Sequence, residues 1–401
     1  MAKALKNIVK LCSEYSLPLI IGVFVALIFA NLFPHTYHDI VHHEFVHHAH
    51  WSSLHFFIND IFMVFFFGIA TVEIVESFLK GGALNPIKKA INPLFATLGG
   101  VLIPVLVFFL LTNMWGVTDL NRGWGIPTAT DIALAWLAAK LIFGATHPAI
   151  NFLLLLAIVD DAIGLGIIAI FYGDPNHPAN PVQLLFIAGA MLIAFIMRKQ
   201  GVKSWPLYIF GPGVIAWYGL YSAHLHPALA LVAIVPFLPS GDHGDHADHD
   251  KSSEKEATAS HSHDSTLVNY LHSTSVFVDF GLFFFAFANA GVQFSSIGTI
   301  TWVIFISLII GKTIGIFGLS YLGKLLGFPL PTGMGLKELL ITGMIAGIGL
   351  TVALFVAGVA YTDGLVSSQG PAKMGALLSG LGFLFAWILA KILGVKPLAK
   401  K

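Results

Sequence analysis

Residues 148–172 read PAINFLLLLAIVDDAIGLGIIAIFY, an apolar run that Asp160 and Asp161 interrupt near its middle. An apolar run of about 20 residues or more is long enough to cross a bilayer as a helix. A charged side chain at mid-membrane depth costs roughly 2.5–3.5 kcal/mol on insertion scales. Two adjacent carboxylates therefore indicate that a cation, a proton or a polar group meets them inside the membrane.

The composition extends this interpretation to the whole chain. Of its 401 residues, 56% are hydrophobic and 10% are charged, whereas soluble domains carry about 25% charged residues. The formal net charge of zero gives no indication of a nucleic-acid partner. The sequence predicts an all-α polytopic membrane protein in which residues 1–401 form a single transmembrane domain.

Hydropathy and charge together predict the topology. The spanning criterion gives twelve candidate helices. They cover residues 15–33, 54–79, 93–113, 122–140, 148–172, 181–198, 204–220, 224–239, 274–294, 300–323, 334–360 and 371–394. With the N-terminus inside, 18 of the 21 basic residues flank the cytoplasmic ends of these helices, Arg122 and Lys373 lie on the outer side, and Lys312 lies within a helix. Because cytoplasmic loops are enriched in Lys and Arg, both termini are expected in the cytoplasm.

Two segments depart from the membrane pattern. Residues 34–53 form a His-rich outer loop, and residues 240–266 form a flexible cytoplasmic loop rich in His and Asp. Polar, titratable loops are the preferred interpretation, with metal buffering or pH sensing left open. Because histidine is a common metal ligand, a zinc or nickel transporter is also conceivable, although loops outside the spans can bind metal without transporting it.

Several ionisable residues fall within the predicted spans or close to their ends. They are Asp60, Glu73, Asp131, Asp160, Asp161, Asp279 and Lys312. An ion pair that only locks two helices together explains one of the aspartates with Lys312, but not the others. Successive helical residues point about 100° apart, so one member of the Asp160–Asp161 dyad is expected to face Lys312 and the other a watery funnel.

The predicted helices 4 and 11 each contain an interruption. Residues 123–131 read GWGIPTATD, where Pro127 removes a helical hydrogen bond. Helix 11 carries the weak points Gly347 and Gly349. A membrane helix broken at mid-depth is tolerated only beside a cavity or inside the protein. Close helix packing at the two glycines is the alternative explanation.

The positions of these interruptions indicate an inverted repeat. Helices 4 and 11 are the middle members of the sets 3–5 and 10–12, and paired interruptions of this kind mark a transporter whose site lies at the crossing. The opposed half-helix dipoles need compensation, and Asp131 and Lys312 are placed to provide it.

At these residues the chain resembles the NhaA-type Na+/H+ antiporters. The matching motifs are FIND at 57–60, GWGIPTATD at 123–131, IVDD at 158–161, FAFANAG at 285–291, IGK at 310–312 and GIGLT at 347–351. The resemblance implies that Asp160 and Asp161 bind Na+ and protons. It also implies that Lys312 pairs with Asp160 and joins in proton exchange, while Thr130 and Asp131 sit at the helix crossing.

The resemblance assigns three further residues to the funnels or to the pH response. Glu73 is expected to line the cytoplasmic funnel, His226 to take part in the response to pH, and Asp60 to belong to the same group. Asp279, in predicted helix 9, has no counterpart in the family's pattern.

The implied function is the electrogenic, pH-regulated exchange of cytoplasmic Na+ or Li+ for external protons, in the service of pH homeostasis. The expected setting is the lipid bilayer of a bacterial inner membrane, as a homodimer without a cofactor. A sodium-driven symporter of organic anions is the alternative, and it would offer a larger polar cavity. A cation channel would need a continuous polar pore, and the helices show no repeated acidic ring.

Overall fold

The computed structural model describes residues 11–13, 15–46, 50–85, 87–173, 180–240, 265–362 and 364–397, and gives no side-chain description at 87–89. These residues form helices and their connections, and none of them lies in a β-strand. Residues 241–264 lie outside the described part, so the predicted cytoplasmic loop 240–266 falls almost entirely there.

Twelve helical segments correspond to the twelve predicted spans. Ten are unbroken or nearly so: α1 Leu17–Leu32, α2 Leu54–Phe78, α3 Ile87–Met114, α5 Pro148–Phe171, α6 Leu184–Lys199, α7 at 205–222, α8 Pro227–Phe237, α9 Thr266–Ala290, α10 Thr299–Leu325 and α12 Val366–Leu393. The fourth segment consists of α4a Thr118–Thr128 and α4b Ile132–Phe143, and the eleventh of α11a Leu336–Ala346 and α11b Leu350–Ala360.

The fourth and eleventh segments are bent where the sequence predicted interruptions. The two halves of α4 meet at 58°, and those of α11 at 43°. In the described residues, six single helices are long and apolar enough to cross a membrane, and the count is eight when each bent pair is taken as one span. The predicted all-α polytopic architecture with broken fourth and eleventh helices is therefore confirmed.

Some boundaries differ from the prediction. The fourth segment begins at Thr118 rather than at 122, and its break at residues 129–131 lies inside the predicted interruption 123–131. Helix α9 begins at Thr266 rather than at 274, since the Ser265 hydroxyl caps it by accepting a hydrogen bond from the Val268 N–H at 3.5 Å. The described part of segment 34–53 contains a short helix, Pro34–His42, and a 3-10 turn, His50–Ser52, where the sequence predicted a loop.

Helices α3 and α10, the first members of the two three-helix sets, pack closely against each other. A Cβ atom added at Gly99 would overlap the carbonyl oxygen of Gly315, and the reverse substitution would overlap Gly99 in the same way. Towards one end of this contact, the Ser320 hydroxyl donates to Asn92 Oδ1 at 2.6 Å, and the Asn92 amide donates to the Ser320 carbonyl at 3.1 Å. This contact holds the two sets together beside their broken helices.

The close approach of α3 and α10 predicts that Gly99→Ala destabilises the protein. Overpacking of a tight contact costs about 1–3 kcal/mol, so the melting temperature in detergent should fall. Gly318→Ala is the matched control, because no atom lies within 4 Å of a Cβ added to that glycine of α10. Equal melting temperatures for the two variants would contradict this account of the interface.

Candidate ion-binding site

The broken helices cross where their backbones leave helical geometry. The Asp131 N–H donates to the carbonyl of Ile348 at 2.7 Å, which joins the two breaks directly. A Cβ at Gly349 would lie 2.9 Å from the carbonyl oxygen of Ala129, and one at Gly347 would lie 2.7 Å from that of Leu308. Both glycines are therefore needed for close backbone approach as well as for the break. Pro127 is buried in α4a, just before the crossing.

Asp131 serves the N-termini of both half-helices. One carboxylate oxygen accepts from the Leu134 N–H of α4b at 3.0 Å, and the other from the Thr351 N–H of α11b at 3.2 Å. Helix N-termini carry unsatisfied N–H groups and partial positive charge. A single carboxylate, only 2% exposed, therefore compensates two dipoles that point at one spot.

Lys312, Asp160 and Thr130 form a buried network on the other side of the crossing. The Lys312 ammonium forms a salt bridge with Asp160 Oδ2 and donates to the Thr130 hydroxyl at 2.7 Å. The Thr130 hydroxyl lies 2.7 Å from Asp160 Oδ2 and 2.9 Å from the carbonyl of Ala346, the last residue of α11a. Asp160 and Lys312 are fully buried. Because the Lys312 ammonium bonds Thr130, which contacts the Ala346 carbonyl, its positive charge lies close to the C-terminal end of α11a.

Asp161 faces a different environment from its neighbour. It lines a cavity of about 460 Å³, named here the dyad cavity, which Glu73, Thr130 and Asp131 also line. The Asp161 Oδ1 atom is buried and has no hydrogen-bond partner, and the same holds for Asp160 Oδ1. Buried polar atoms are nearly always satisfied in folded proteins. The orphaned oxygen of Asp161, a residue of the cavity wall, can accept a proton or a hard cation.

A second cavity, of about 770 Å³, lies on the opposite side of an apolar layer. Named here the histidine cavity, it is lined by Asp60 and His226, among others, and Asp161 does not line it. The rings of Phe67 and Phe355 pack edge to face with centroids 5.1 Å apart, and the His226 ring lies 4.7 Å from that of Phe355. Asp161 is therefore reached from the dyad cavity and closed off from the histidine cavity.

The structure separates the residues that the resemblance grouped as funnel or pH-response residues. Glu73 lines the dyad cavity, whereas Asp60 and His226 line the histidine cavity. Of the three, His226 also has a local structural contact, since its Nδ1 accepts from the Ala228 N–H at 3.3 Å.

Sequence reasoning missed a polar network behind the histidine cavity. Lys373, which the topology prediction assigned to the outer side, is 8% exposed within α12, and its ammonium lies 3.4 Å from Asn289 Oδ1. The Asn289 amide donates to Asn59 Oδ1 at 3.0 Å, which joins α2, α9 and α12. Only the presence of a lysine and asparagines in apolar runs could have indicated this network.

The His-rich helix Pro34–His42 lies beside the start of α2. The rings of His38 and His42 are 4.8 Å apart, and His42 stacks on His55 at 5.1 Å. Burial lowers the pKa of His42 from its ordinary value, and repulsion from His38 and Lys373 lowers it further. In the part of the chain that the structure describes, no group of three or more His, Cys, Asp or Glu residues is arranged to hold a metal ion.

The buried pair predicts that Lys312→Ala destabilises the protein strongly. Removing one partner of a buried ion pair costs about 3–5 kcal/mol, because the other charge is left unpaired, so melting in detergent should occur at a clearly lower temperature. Lys337→Ala is the control, since that exposed lysine bonds only the carbonyl of Leu393 among its described partners. An unchanged melting temperature for Lys312→Ala would show that the 160–312 pair contributes nothing to stability.

Comparisons with known proteins agree with this architecture. The family model described as Na+/H+ antiporter 1 matches residues 6–395. The chain is 55% identical to the Na+/H+ antiporter NhaA of Desulfitobacterium hafniense, over 98% of this chain and 97% of that relative. It is 54% identical to NhaA of Geobacter sulfurreducens, over 97% and 98%. The solved sodium/proton antiporter MjNhaP1 of Methanocaldococcus jannaschii shares the fold, with a TM-score of 0.55 and 14% identity over 97% and 95% of the two chains. The chain therefore belongs to the Na+/H+ antiporter 1 family.

Proposed function

We propose that this protein exchanges cytoplasmic Na+ or Li+ for external protons, with Asp161 as the carboxylate that binds the two ions in turn. The observation that carries the proposal is the orphaned Oδ1 atom of Asp161, buried at the wall of the dyad cavity. Family membership supports the same pair of ions.

Competition for one carboxylate is sufficient to couple the two ions. A charged, unpaired carboxylate at mid-membrane depth has a high free energy. The site therefore changes sides only when Asp161 holds either a proton or a cation. Na+ and Li+ are hard cations, and hard cations take oxygen ligands. Asp161, the Thr130 hydroxyl and the free Oδ1 of Asp160 supply such oxygens within the site.

Asp160 and Lys312 add a second titratable unit to the site. A cation that binds the free oxygen of Asp160 neutralises part of the negative charge that stabilises the Lys312 ammonium. Lys312 can then release a proton. If this pair loses a proton as Asp161 binds Na+, more protons than sodium ions move in each cycle, and transport is electrogenic. Asp131 holds the crossing rigid in this scheme, since both of its oxygens are occupied by backbone N–H donors.

The conformation described here corresponds to a state open to the cytoplasm. Ser13 and Ser16, close to the N-terminus, line the dyad cavity together with Glu73, and the distribution of basic residues supports a cytoplasmic N-terminus. The Phe67–Phe355 contact then closes the path to the outer histidine cavity. Alternating access requires this apolar layer to open while the dyad cavity closes. The proposed setting is the inner membrane of a bacterium, with both termini cytoplasmic and two copies forming a homodimer in the bilayer.

The alternative of an organic-anion symporter is less well supported by the cavity's charge. Four carboxylates line the dyad cavity, and its described lining includes no Lys or Arg; the acids are Glu73, Asp131, Asp161 and Asp279. Such a wall attracts cations and repels anionic substrates.

Asp161→Asn should abolish Na+-dependent proton movement, because an amide has no titratable proton to exchange for Na+. The measurement is the recovery of the quenched fluorescence of a pH-sensitive dye when Na+ is added to everted membrane vesicles. Asp39→Asn, which neutralises an exposed acid of the His-rich helix, should behave like the unsubstituted protein. Normal exchange by an inserted and folded Asp161→Asn protein would refute the proposed mechanism.

His226→Arg should shift the pH profile of exchange without abolishing exchange. Histidine changes charge near pH 6.5 when unperturbed, whereas arginine is charged throughout, so a contribution of this residue to the pH response would become constant. Antiport rates in vesicles across a pH series test this, with His35→Arg on the exposed face of the His-rich helix as the control. Superimposable profiles for His226→Arg and the unsubstituted protein would make His226 a structural residue.

A further inference from the structure

The His-rich helix Pro34–His42 is attached to the rest of the protein along one narrow face. Tyr37 and Val41, which lie four residues apart and therefore on the same side of the helix, are both buried. The Tyr37 hydroxyl donates to the carbonyl of Phe287 in α9 at 2.6 Å. Isolated helices shorter than about 12–15 residues are marginally stable in water, so this nine-residue helix depends on such contacts for its order.

The C-terminal end of this helix is held by a contact between histidine rings. His42, its last residue, stacks on His55 of α2, with ring centroids 5.1 Å apart and ring planes at 29°. His38 lies one turn earlier, and its ring is 4.8 Å from that of His42. Like charges at so short a distance repel each other. The stack of His42 on His55 therefore favours neutral rings and is weakened when both rings carry a proton.

Positively charged and titratable groups of other helices surround this stack. Lys373 of α12 acts electrostatically on both His42 and His55, and His226, at the start of α8, acts on His55. Lys373 is 8% exposed, and buried charges are screened less by salt than exposed ones. A proton on either stacked ring is therefore repelled by the other ring and by the lysine behind it.

Acidic residues of the same region do not outweigh this repulsion. The Asp39 carboxylate lies 3.9 Å from His38 Nδ1, but the two side chains are 78% and 73% exposed, so water screens their attraction. Asp60 lines the histidine cavity together with His55, and Glu44 follows the helix in the chain. With these acids present, the pKa of His42 still lies below its ordinary value of 6.5, first because of burial and then because of repulsion from His38 and Lys373.

The direction of this shift sets the sign of the pH dependence. Docking of the helix lowers the pKa of His42, so the released helix binds a proton more readily than the docked helix. Docking is therefore complete above the ordinary value of 6.5 and is weakened as the pH falls below it. Each unit of difference between the two pKa values changes the docking equilibrium about tenfold at a pH below both.

The docked helix joins two elements of the outer cavity wall. The carbonyl of His55 accepts a hydrogen bond from the Asn59 amide at 3.0 Å, and the Asn289 amide donates to Asn59 Oδ1. All three residues line the histidine cavity. Tyr37 bonds Phe287, two residues before Asn289. The His-rich helix therefore holds the start of α2 against the end of α9 beside this cavity.

We propose that the stack of His42 on His55 is a switch on the outer surface, which keeps the His-rich helix docked at neutral and alkaline external pH and releases it in acid. Release leaves the start of α2 less firmly held against α9, so external acid loosens the wall of the histidine cavity and slows exchange. The location of the switch rests on the proposed topology, and its effect on exchange rests on the proposed function.

Release of the helix can be measured by cysteine labelling of the purified protein in detergent. Cys12, the only cysteine of the sequence, is replaced by serine. Val41→Cys then places a thiol on the buried face of the helix, and Ile40→Cys places one at a position that is 41% exposed. The ratio of their labelling rates with a maleimide corrects for the pH dependence of thiol chemistry. This ratio should rise about three- to tenfold between about pH 8 and about pH 5.

Two substitutions show whether the stacked ring carries the response. His42→Phe keeps an aromatic ring against His55 but cannot take up a proton, so its labelling ratio should stay constant across the pH range. His35→Phe removes an exposed histidine of the same helix, and the rise in the ratio should remain. A constant ratio in the protein that retains His42, or an equal rise in His42→Phe, would refute the switch.

Hydrogen exchange keeps the switch testable if a cysteine at position 41 itself loosens the helix. The amides of residues 34–42 are followed by mass spectrometry in the chain with its native Val41, and their rates are corrected for the intrinsic effect of pH. Protection should fall between about pH 8 and about pH 5 in the unsubstituted protein and stay constant in His42→Phe. Constant protection in both proteins would contradict the proposal.

Right-side-out membrane vesicles test the effect on exchange, because their outer medium is the external side. Efflux of radioactive Na+ is measured at a fixed internal pH, with the external medium at about pH 8 or about pH 5. The unsubstituted protein and His42→Phe should exchange equally at the higher pH, and the unsubstituted protein should be slower at the lower pH. Equal rates at both pH values would refute the effect on exchange. If neither protein exchanges Na+, the proposed function fails, and labelling alone decides whether the helix is released by acid.

Discussion

The buried ion pair between Lys312 and Asp160 is the interaction on which the rest of the site depends. Two full charges with no exposed surface are tolerable only because each satisfies the other and the Thr130 hydroxyl bonds both. Thr130 belongs to the break in α4 and contacts the end of α11a. The pair therefore fixes α5 and α10 to the crossing, and the crossing in turn fixes where Asp161 lies.

This arrangement divides the work between two neighbouring carboxylates. One oxygen of Asp160 bonds both Lys312 and Thr130. Asp161, about 100° around the helix, lines the dyad cavity instead. The cost of burying two acids side by side is thus met in two ways in the proposed mechanism, by the Lys312 ammonium for Asp160 and by exchangeable ions for Asp161. Asp131 is different again, since its two oxygens accept hydrogen bonds from two helix N-termini while it also lines the cavity.

The breaks in α4 and α11 and the apolar layer of Phe67 and Phe355 have complementary effects. The breaks supply polar backbone at mid-depth, and Gly347 and Gly349 let that backbone approach within contact distance. The aromatic contact closes one side of the site, so the ions meet the carboxylates from a single side in this conformation. A transporter needs both features, because a site open to two sides at once would dissipate the gradients that it couples.

The sequence by itself determined the membrane class, the twelve helical segments, the two breaks and the candidate residues for ion binding, because apolar runs, mid-span charges and glycine–proline interruptions are local properties. It did not predict that the first half of α4 is a 3-10 helix that contains Pro127, nor that Lys373 is buried against Asn289. Which acids share a cavity was decided by tertiary packing alone. Glu73, Asp161 and Asp279 come from three helices far apart in the chain, and Asp60 is separated from them by a layer of aromatic rings. The spacing of these acids along the sequence does not reveal which cavity each one lines, since that depends on which helix faces pack together.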